Sequence, residues 1–297
     1  MNTIKKFFYD NIMVLATLFF SGAFIAGKFS IAEFPVFSLT FFRFLIAGVL
    51  LLGVLILQKR QIFIPKKEIP YVIVLSLLGM VGYHLFFFSA LKFTSSTNTS
   101  LIAATNPVFT TIFAYFFLKE KINKNTIVGI LLSFIGVIFL ITNGSLSILK
   151  NLSFNLGDIL MLCAVLCFSV YFIILKNVLK RVDPFILTTY VFLVCALVLL
   201  PVVIYENPMT YLKNTTFLGW SSLLYMSIFS SVFAYLIQQI SVQRIGPVKT
   251  SLYINLTPVF STVLAWAILG EVITYQKLIA TLIILSGVIL TIKSKIK

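Results

Sequence analysis

Carboxylates are scarce in this chain. Only eight Asp and Glu stand against 23 Lys and Arg in 297 residues, and all eight, from Asp10 to Glu271, fall beside apolar runs or at their ends. Membrane proteins that move protons commonly place an Asp, Glu or His at membrane depth. The single histidine, His84, is therefore the one candidate proton carrier. Cysteine is also rare: Cys163, Cys167 and Cys195 lie inside apolar runs without a paired framework, and read as small packing residues. No metal or other cofactor is expected. No glycine-rich phosphate loop is present, which argues against an ATP-binding domain. No nucleophile, base and metal set converges at membrane depth, which argues against an intramembrane enzyme.

What the chain has in abundance is apolar surface. Apolar residues make up 60% of it, charged residues 10%, and the mean hydropathy is +1.08. Such a composition cannot be arranged around one soluble core, so most of its surface must face lipid. A hydrocarbon layer of ~30 Å takes about 20 apolar residues per helix. Ten runs meet this need: 12–31, 36–57, 70–91, 99–118, 126–142, 157–179, 184–205, 217–241, 250–269 and 275–292. They are too long and too uniformly apolar for barrel strands, and a helix satisfies its own backbone groups in lipid. The fold class expected is an all-α integral membrane protein. The first run follows Lys5 and Lys6 like a secretory signal, but it is too long for one and reads as a retained helix.

A net charge of +15 would suggest nucleic acid in a soluble protein. Here the distribution of the charges explains it. With a cytoplasmic N-terminus, seventeen of the 23 basic residues fall on the cytoplasmic side, and five (Lys28, Lys92, Lys150, Lys213 and Lys277) fall outside. Only Arg43 is left within a span. This bias predicts a multi-pass protein of the cytoplasmic (inner) membrane with both termini cytoplasmic, and makes nucleic-acid binding unnecessary.

The segment from Thr99-Ser100-Leu101 through Pro107-Val108-Phe109 to Leu118 and Glu120 returns 151 positions later. It reappears as Thr250-Ser251-Leu252 through Pro258-Val259-Phe260 to Leu269 and Glu271, and Gly136 is matched by Gly287. Thr, Ser, Pro and Glu in register carry this match, because apolar runs align cheaply by chance. The repeat divides the chain at 1–145 and 146–297. Each half holds five spans, an odd number, so the second enters from the opposite side: ten transmembrane helices as two inverted five-helix repeats. Inverted copies can exchange roles around a midplane site, which is the basis of alternating access. A duplication that only doubles a stable bundle is the structural alternative.

These elements resemble the ten-helix EamA-domain branch of the drug/metabolite transporter superfamily, over nearly the whole chain. The resemblance rests on Phe20-Ser21 to Lys28, Phe42-Arg43-Phe44-Leu45, Tyr83-His84-Leu85-Phe86, Pro107-Val108-Phe109 and Gly129 to Gly136. In the second half it rests on Phe168-Ser169 to Lys176, Ala234-Tyr235 through Ser241, Pro258-Val259-Phe260 and Gly287. It implies a transporter of small organic metabolites, often an amino-acid exporter, with helices one to four and six to nine around a central cavity.

Candidate substrate-binding residues follow from polarity at membrane depth. Arg43 lies ~10 Å along its span and can meet a substrate carboxylate, hold helix carbonyls or reach the interface. Tyr83 and His84 in the third span and Tyr235, Gln238 and Gln239 in the eighth form a second set. Asn106, Tyr253 and Asn255 form a third, and should face inward, toward substrate or a neighbouring helix. Pro107 and Pro258 remove backbone donors within apolar runs, predicting kinks that act as hinges or improve packing. Lys28 and Lys176 suit interface anchoring; Glu120 and Glu271 suit caps of the helices that follow.

With no midplane carboxylate, transport down a gradient or with the membrane potential is expected. A partly apolar, aromatic cavity with Arg43 suits amino acids. The alternatives are uptake or exchange of a nucleotide-like or vitamin-like metabolite, and multidrug efflux. A channel is disfavoured because no filter-like or charged-ring repeat is present.

Overall fold

The computed structural model describes residues 12–59, 62–94, 102–145, 147, 155–269 and 273–293. Thr99-Ser100-Leu101, Glu271 and the basic residues Lys5, Lys6, Arg60, Lys150, Lys295 and Lys297 lie outside them. The described residues are helical, without strands. In chain order the helices are α1 (Met13–Glu33), α2 (Val36–Leu57), α3 (69–93), α4 (Asn106–Leu118) and α5 (Lys124–Thr142). They continue with α6 (Leu156–Val178), α7 (Pro184–Tyr205), α8 (Phe217–Ile245), α9 (Pro247–Ile268) and α10 (Tyr275–Lys293). Among the described residues nine are long and apolar enough to cross a membrane, and α4 is a shorter apolar helix. The protein is an all-α membrane protein of about ten helices.

Hydroxyl groups on these helices mostly return to their own backbone. Ser21, Thr40, Thr188, Thr189 and Ser227 each donate to the carbonyl four residues earlier, which satisfies them in an apolar setting. Thr111 to Pro107 (2.6 Å) and Thr262 to Pro258 (2.9 Å) do so at positions related by the 151-residue repeat.

The prolines differ from expectation. Neither kinks a continuous helix. The chain breaks just ahead of each, at Ala104-Thr105 and at Asn255-Leu256, and a new helical segment starts at Asn106 and at Thr257. Pro107 and Pro258 therefore occupy first turns, where no intrahelical N–H bond is required and the fixed φ favours the helix. Both halves also carry a π-helical stretch at the same place: Ser76–Gly82 within α3 and Met226–Ala234 within α8. Such wide turns shift the side chains that follow them and often occur at functional positions.

The chain forms two compact units, each drawn from both halves of the sequence. Unit 1 comprises Met1–Leu85 and Ile174–Arg244; unit 2 comprises Phe86–Ile173 and Ile245–Lys297. In unit 1, α2 packs along α7, and α1 against the first two-thirds of α8. The small residue Gly48 lets α2 approach Leu193, and Gly22 lets α1 approach the Tyr225 ring. Ala26, Phe34, Leu39, Leu223 and Met226 form one buried apolar cluster there.

In unit 2, α5 and α10 meet almost backbone to backbone. A Cβ on Gly287 would lie 2.5 Å from the Gly129 carbonyl oxygen and 2.5 Å from the Ser133 nitrogen; one on Gly136 would lie 2.8 Å from the Ile284 nitrogen. Small residues at the crossing allow this approach, as dispersion and hydrogen bonds must replace the hydrophobic effect between helices in lipid. The α5 cap is Asn123, which accepts from the Thr126 N–H, so the capping role expected of Glu120 falls to Asn123.

Candidate functional site

Unit 1 contains a cation facing inward. Arg43, half-buried in the second turn of α2, donates from Nε to Ser231 Oγ (2.8 Å) and from Nη2 to Ser230 Oγ (2.9 Å) on the π-helical stretch of α8. Its guanidinium carbon stands 5.2 Å from the centroid of the Phe44 ring. The side chain is thus held by two neutral hydroxyls and an aromatic face.

Phe44 organises the surroundings. It is fully buried and meets His84 edge-on at 5.3 Å, Phe192 at 4.9 Å and Tyr235 at 6.2 Å. Phe192 also meets Tyr235 edge-on, at 5.6 Å, and Tyr83 stacks edge-on against His84 at 5.1 Å. His84 is buried, and its Nδ1 lies 2.7 Å from the Met80 carbonyl within the π-helical stretch of α3, so that nitrogen carries the proton. Of the residues expected from sequence, Arg43, His84 and Tyr235 are gathered around this one ring, and Tyr83 joins them through His84. Gln238 and Gln239 follow Tyr235 by one turn of α8. Both are fully buried, and among the described residues neither carboxamide has a hydrogen-bond partner.

Asn106, Tyr253 and Asn255 belong to unit 2 and are buried there. Asn106 Nδ2 donates to Ser169 Oγ (3.2 Å), linking α4 to α6, and Asn255 Nδ2 donates to Ser133 Oγ (3.1 Å), linking the break in α9 to α5. Both asparagines thus bond neighbouring helices, the commoner use of such groups.

Polar ties close both ends of unit 1. At one end Arg181 forms a two-pronged pair with Glu68, at 2.6 and 2.9 Å, although the Glu68 side chain is only 2% exposed. The pair raises the Arg181 guanidinium further above its ordinary range, mainly through the hydrogen bonds it donates to the Glu68 carboxylate. Lys176 donates to the Val242 and Gln243 carbonyls at the end of α8, while Gln243 Nε2 donates to the Leu179 carbonyl beyond α6. Lys176 is thus a helix-end cap as well as a terminal cation. At the other end Glu206 accepts from Ser38 N–H and Oγ, Tyr211 donates to Ser38 Oγ, and Glu33 accepts from Thr216 N–H and Oγ. Burial raises the Tyr211 phenol above its usual range, so at neutral pH it remains a donor.

Sequence reasoning missed Ser230, Ser231, Phe44 and Phe192. A signal for the serines existed: two adjacent hydroxyls interrupt an apolar run, and their repeat counterparts are Gly79 and Met80.

The model of the EamA-like transporter family matches residues 8–142 and again 155–293. The chain belongs to this family. Two relatives of this EamA-like protein are each described as an uncharacterized transporter. YyaM of Bacillus subtilis is 34% identical over 75% of this chain and 75% of its own, and one from Archaeoglobus fulgidus is 31% identical over 73% and 74%. A solved crystal structure, 21% identical, superposes with a TM-score of 0.78 over 95% of each chain, a likeness of fold. Membership makes this EamA-like protein a multi-pass membrane transporter.

Proposed function

We propose that this protein is a secondary transporter of the cytoplasmic membrane that exports small organic metabolites bearing a carboxylate, a class that includes amino acids and their relatives. The observation that carries this reading is Arg43: a permanent cation within a span, held by two serines and an aromatic ring, with no carboxylate partner among the described residues. A guanidinium so placed is costly in a membrane unless an anion completes it, and its fork matches a carboxylate. The aromatic groups around Phe44 offer an apolar wall for the rest of such a molecule.

In this reading the two inverted repeats, 1–145 and 146–297, alternate access to the site, with Pro107 and Pro258 beside moving breaks just ahead of α4 and within α9. Both termini face the cytoplasm. Arg43, Tyr83, His84, Tyr235, Gln238 and Gln239 contact the substrate, and Asn106, Tyr253 and Asn255 are further candidates for substrate contact. No described carboxylate lies at membrane depth, so transport follows the substrate gradient or the membrane potential.

The test is overexpression in cells challenged with amino acids, their toxic analogues, other organic acids and cationic drugs, with efflux measured for whichever compound is tolerated better. Export of a carboxylate compound that is lost with Arg43→Gln supports the reading. Stimulated uptake reverses its direction, and resistance confined to cationic drugs refutes the carboxylate.

A further inference from the structure

The charge inventory of unit 1 narrows the substrate class. It rests on the carboxylate reading of Arg43, and concerns what the remainder of the substrate must be.

An amino acid brings two charges. Its carboxylate suits Arg43, but its ammonium also leaves water and needs an anionic or strongly accepting partner at the same site. The described carboxylates of unit 1 are Glu33, Glu68, Asp183 and Glu206, and each is committed at a helix end. Glu33 is bound by Thr216, Glu68 by Arg181, Asp183 by the Phe185 and Ile186 N–H groups, and Glu206 by Ser38. Glu206 comes nearest along α2, yet Ser38 precedes Arg43 by five residues, or ~7 Å along the axis. The groups around Arg43 itself are hydroxyls, phenols, the Cys195 thiol, aromatic rings and an imidazole, none of which ordinarily supplies a negative charge at neutral pH.

A second observation agrees. The polar side chains left without partners one turn beyond Tyr235 are the carboxamides of Gln238 and Gln239, fully buried and uncharged. A carboxamide donates and accepts, and so satisfies hydroxyl, keto or amide groups at no net charge. Leaving such groups buried and unbonded costs free energy that a ligand with matching neutral polar groups recovers.

We propose that the site selects organic monoanions over zwitterions: carboxylates whose other polar groups are uncharged, such as 2-hydroxy, 2-oxo and N-acyl acids. Charge selection also sets the energetics. With no carboxylate at membrane depth among the described residues to return a proton, a carrier that moves a monoanion transfers one negative charge per cycle. A membrane potential negative inside then drives that charge outward, about 60 mV balancing a tenfold gradient. Export is the direction the potential favours.

The experiment uses the full chain in liposomes and four probes with one aromatic body: 3-phenyllactate and N-acetylphenylalanine (anions), phenylalanine (zwitterion) and phenylalaninamide (cation). Counterflow of labelled 3-phenyllactate is competed with each probe, then repeated under a potassium diffusion potential set with valinomycin. The expected result is competition by both anions at concentrations at least tenfold below those needed of phenylalanine, and none by phenylalaninamide. Efflux of 3-phenyllactate should accelerate when the interior is negative. Phenylalanine competing as well as the anions, or efflux indifferent to the potential, overturns the inference. Arg43→Lys and Arg43→Gln separate the two readings. Arg43-dependent transport of phenylalanine preserves the carboxylate reading while this inference fails; no competition by either anion overturns both.

Discussion

Arg43 and Ser230, 187 positions apart in sequence, are joined by a 2.9 Å hydrogen bond from the guanidinium of α2 to a π-helical stretch of α8. The bond ties a span of the first half to one of the second within a single compact unit. It also presents a cation whose partners among the described residues are neutral groups.

Replacing that cation tests the transport reading most directly. Hydrogen bonds to charged groups contribute about 1.5–3 kcal/mol. Arg43→Gln should therefore lower kcat/KM in counterflow by about 10- to 150-fold, with Arg43→Lys intermediate because charge survives but the fork does not. Unchanged kcat/KM in Arg43→Gln would assign the residue to structure alone.

The serines should act as a pair. Ser230→Ala or Ser231→Ala alone leaves Arg43 one hydroxyl, and each should cost about 1.5–3 kcal/mol of stability, as hydrogen bonds to a charged group do. The double variant strips both and should cost more than the sum, measured by thermal unfolding in detergent. Strict additivity would show that the two bonds are independent.

His84 should not carry protons for coupling. Its Nδ1–H is committed to the Met80 carbonyl and its ring is packed against Phe44 and Tyr83. Substrate gradients formed by the protein in liposomes should be unchanged by a pH gradient or by an uncoupler at clamped membrane potential. His84→Ala should leave that indifference intact. Concentrative transport that collapses with the pH gradient would contradict this.

The crossing of α5 and α10 should be intolerant of size. Gly287→Val places a branched side chain where backbone atoms lie 2.5 Å from the first added carbon. The cost should exceed the ~1–3 kcal/mol typical of overpacking, because main chain cannot yield as a side chain can. Size-exclusion profiles and melting temperatures of Gly287→Val and Gly136→Leu against Gly53→Ala, whose added carbon meets no neighbour, provide the comparison.

Asn106 and Asn255 allow a packing role to be separated from a substrate role. If their bonds to Ser169 and Ser133 are their whole contribution, alanine at either position should cost about 1 kcal/mol of stability and leave KM unchanged. A raised KM at undiminished stability would assign them to the substrate path.

Much of the architecture was legible in the chain because lipid imposes simple rules. Apolar runs of span length had to become helices, and α2 and α7 keep the bounds expected of them. Pro107 and Pro258 were legible as special positions but not as helix starts. Their removal of a donor is equally compatible with a kink or with a first turn, and the choice depends on where the preceding backbone turns. Arg43, Tyr83, His84 and Tyr235 stood out through polarity or repeat position. Phe44 and Phe192 did not, since nothing in a sequence with 31 phenylalanines distinguishes a ring against a guanidinium from one against lipid.

The sequence by itself determined that this is a helical membrane protein with an internal repeat and almost no charge at depth, because burial in lipid penalises every unpaired polar group whatever the topology. Only the tertiary structure decided which hydroxyls hold Arg43, and that the compact units each combine segments of both halves. Those outcomes depend on side chains that meet across nearly 190 residues of chain, and on wide turns in α3 and α8 that no local periodicity reveals.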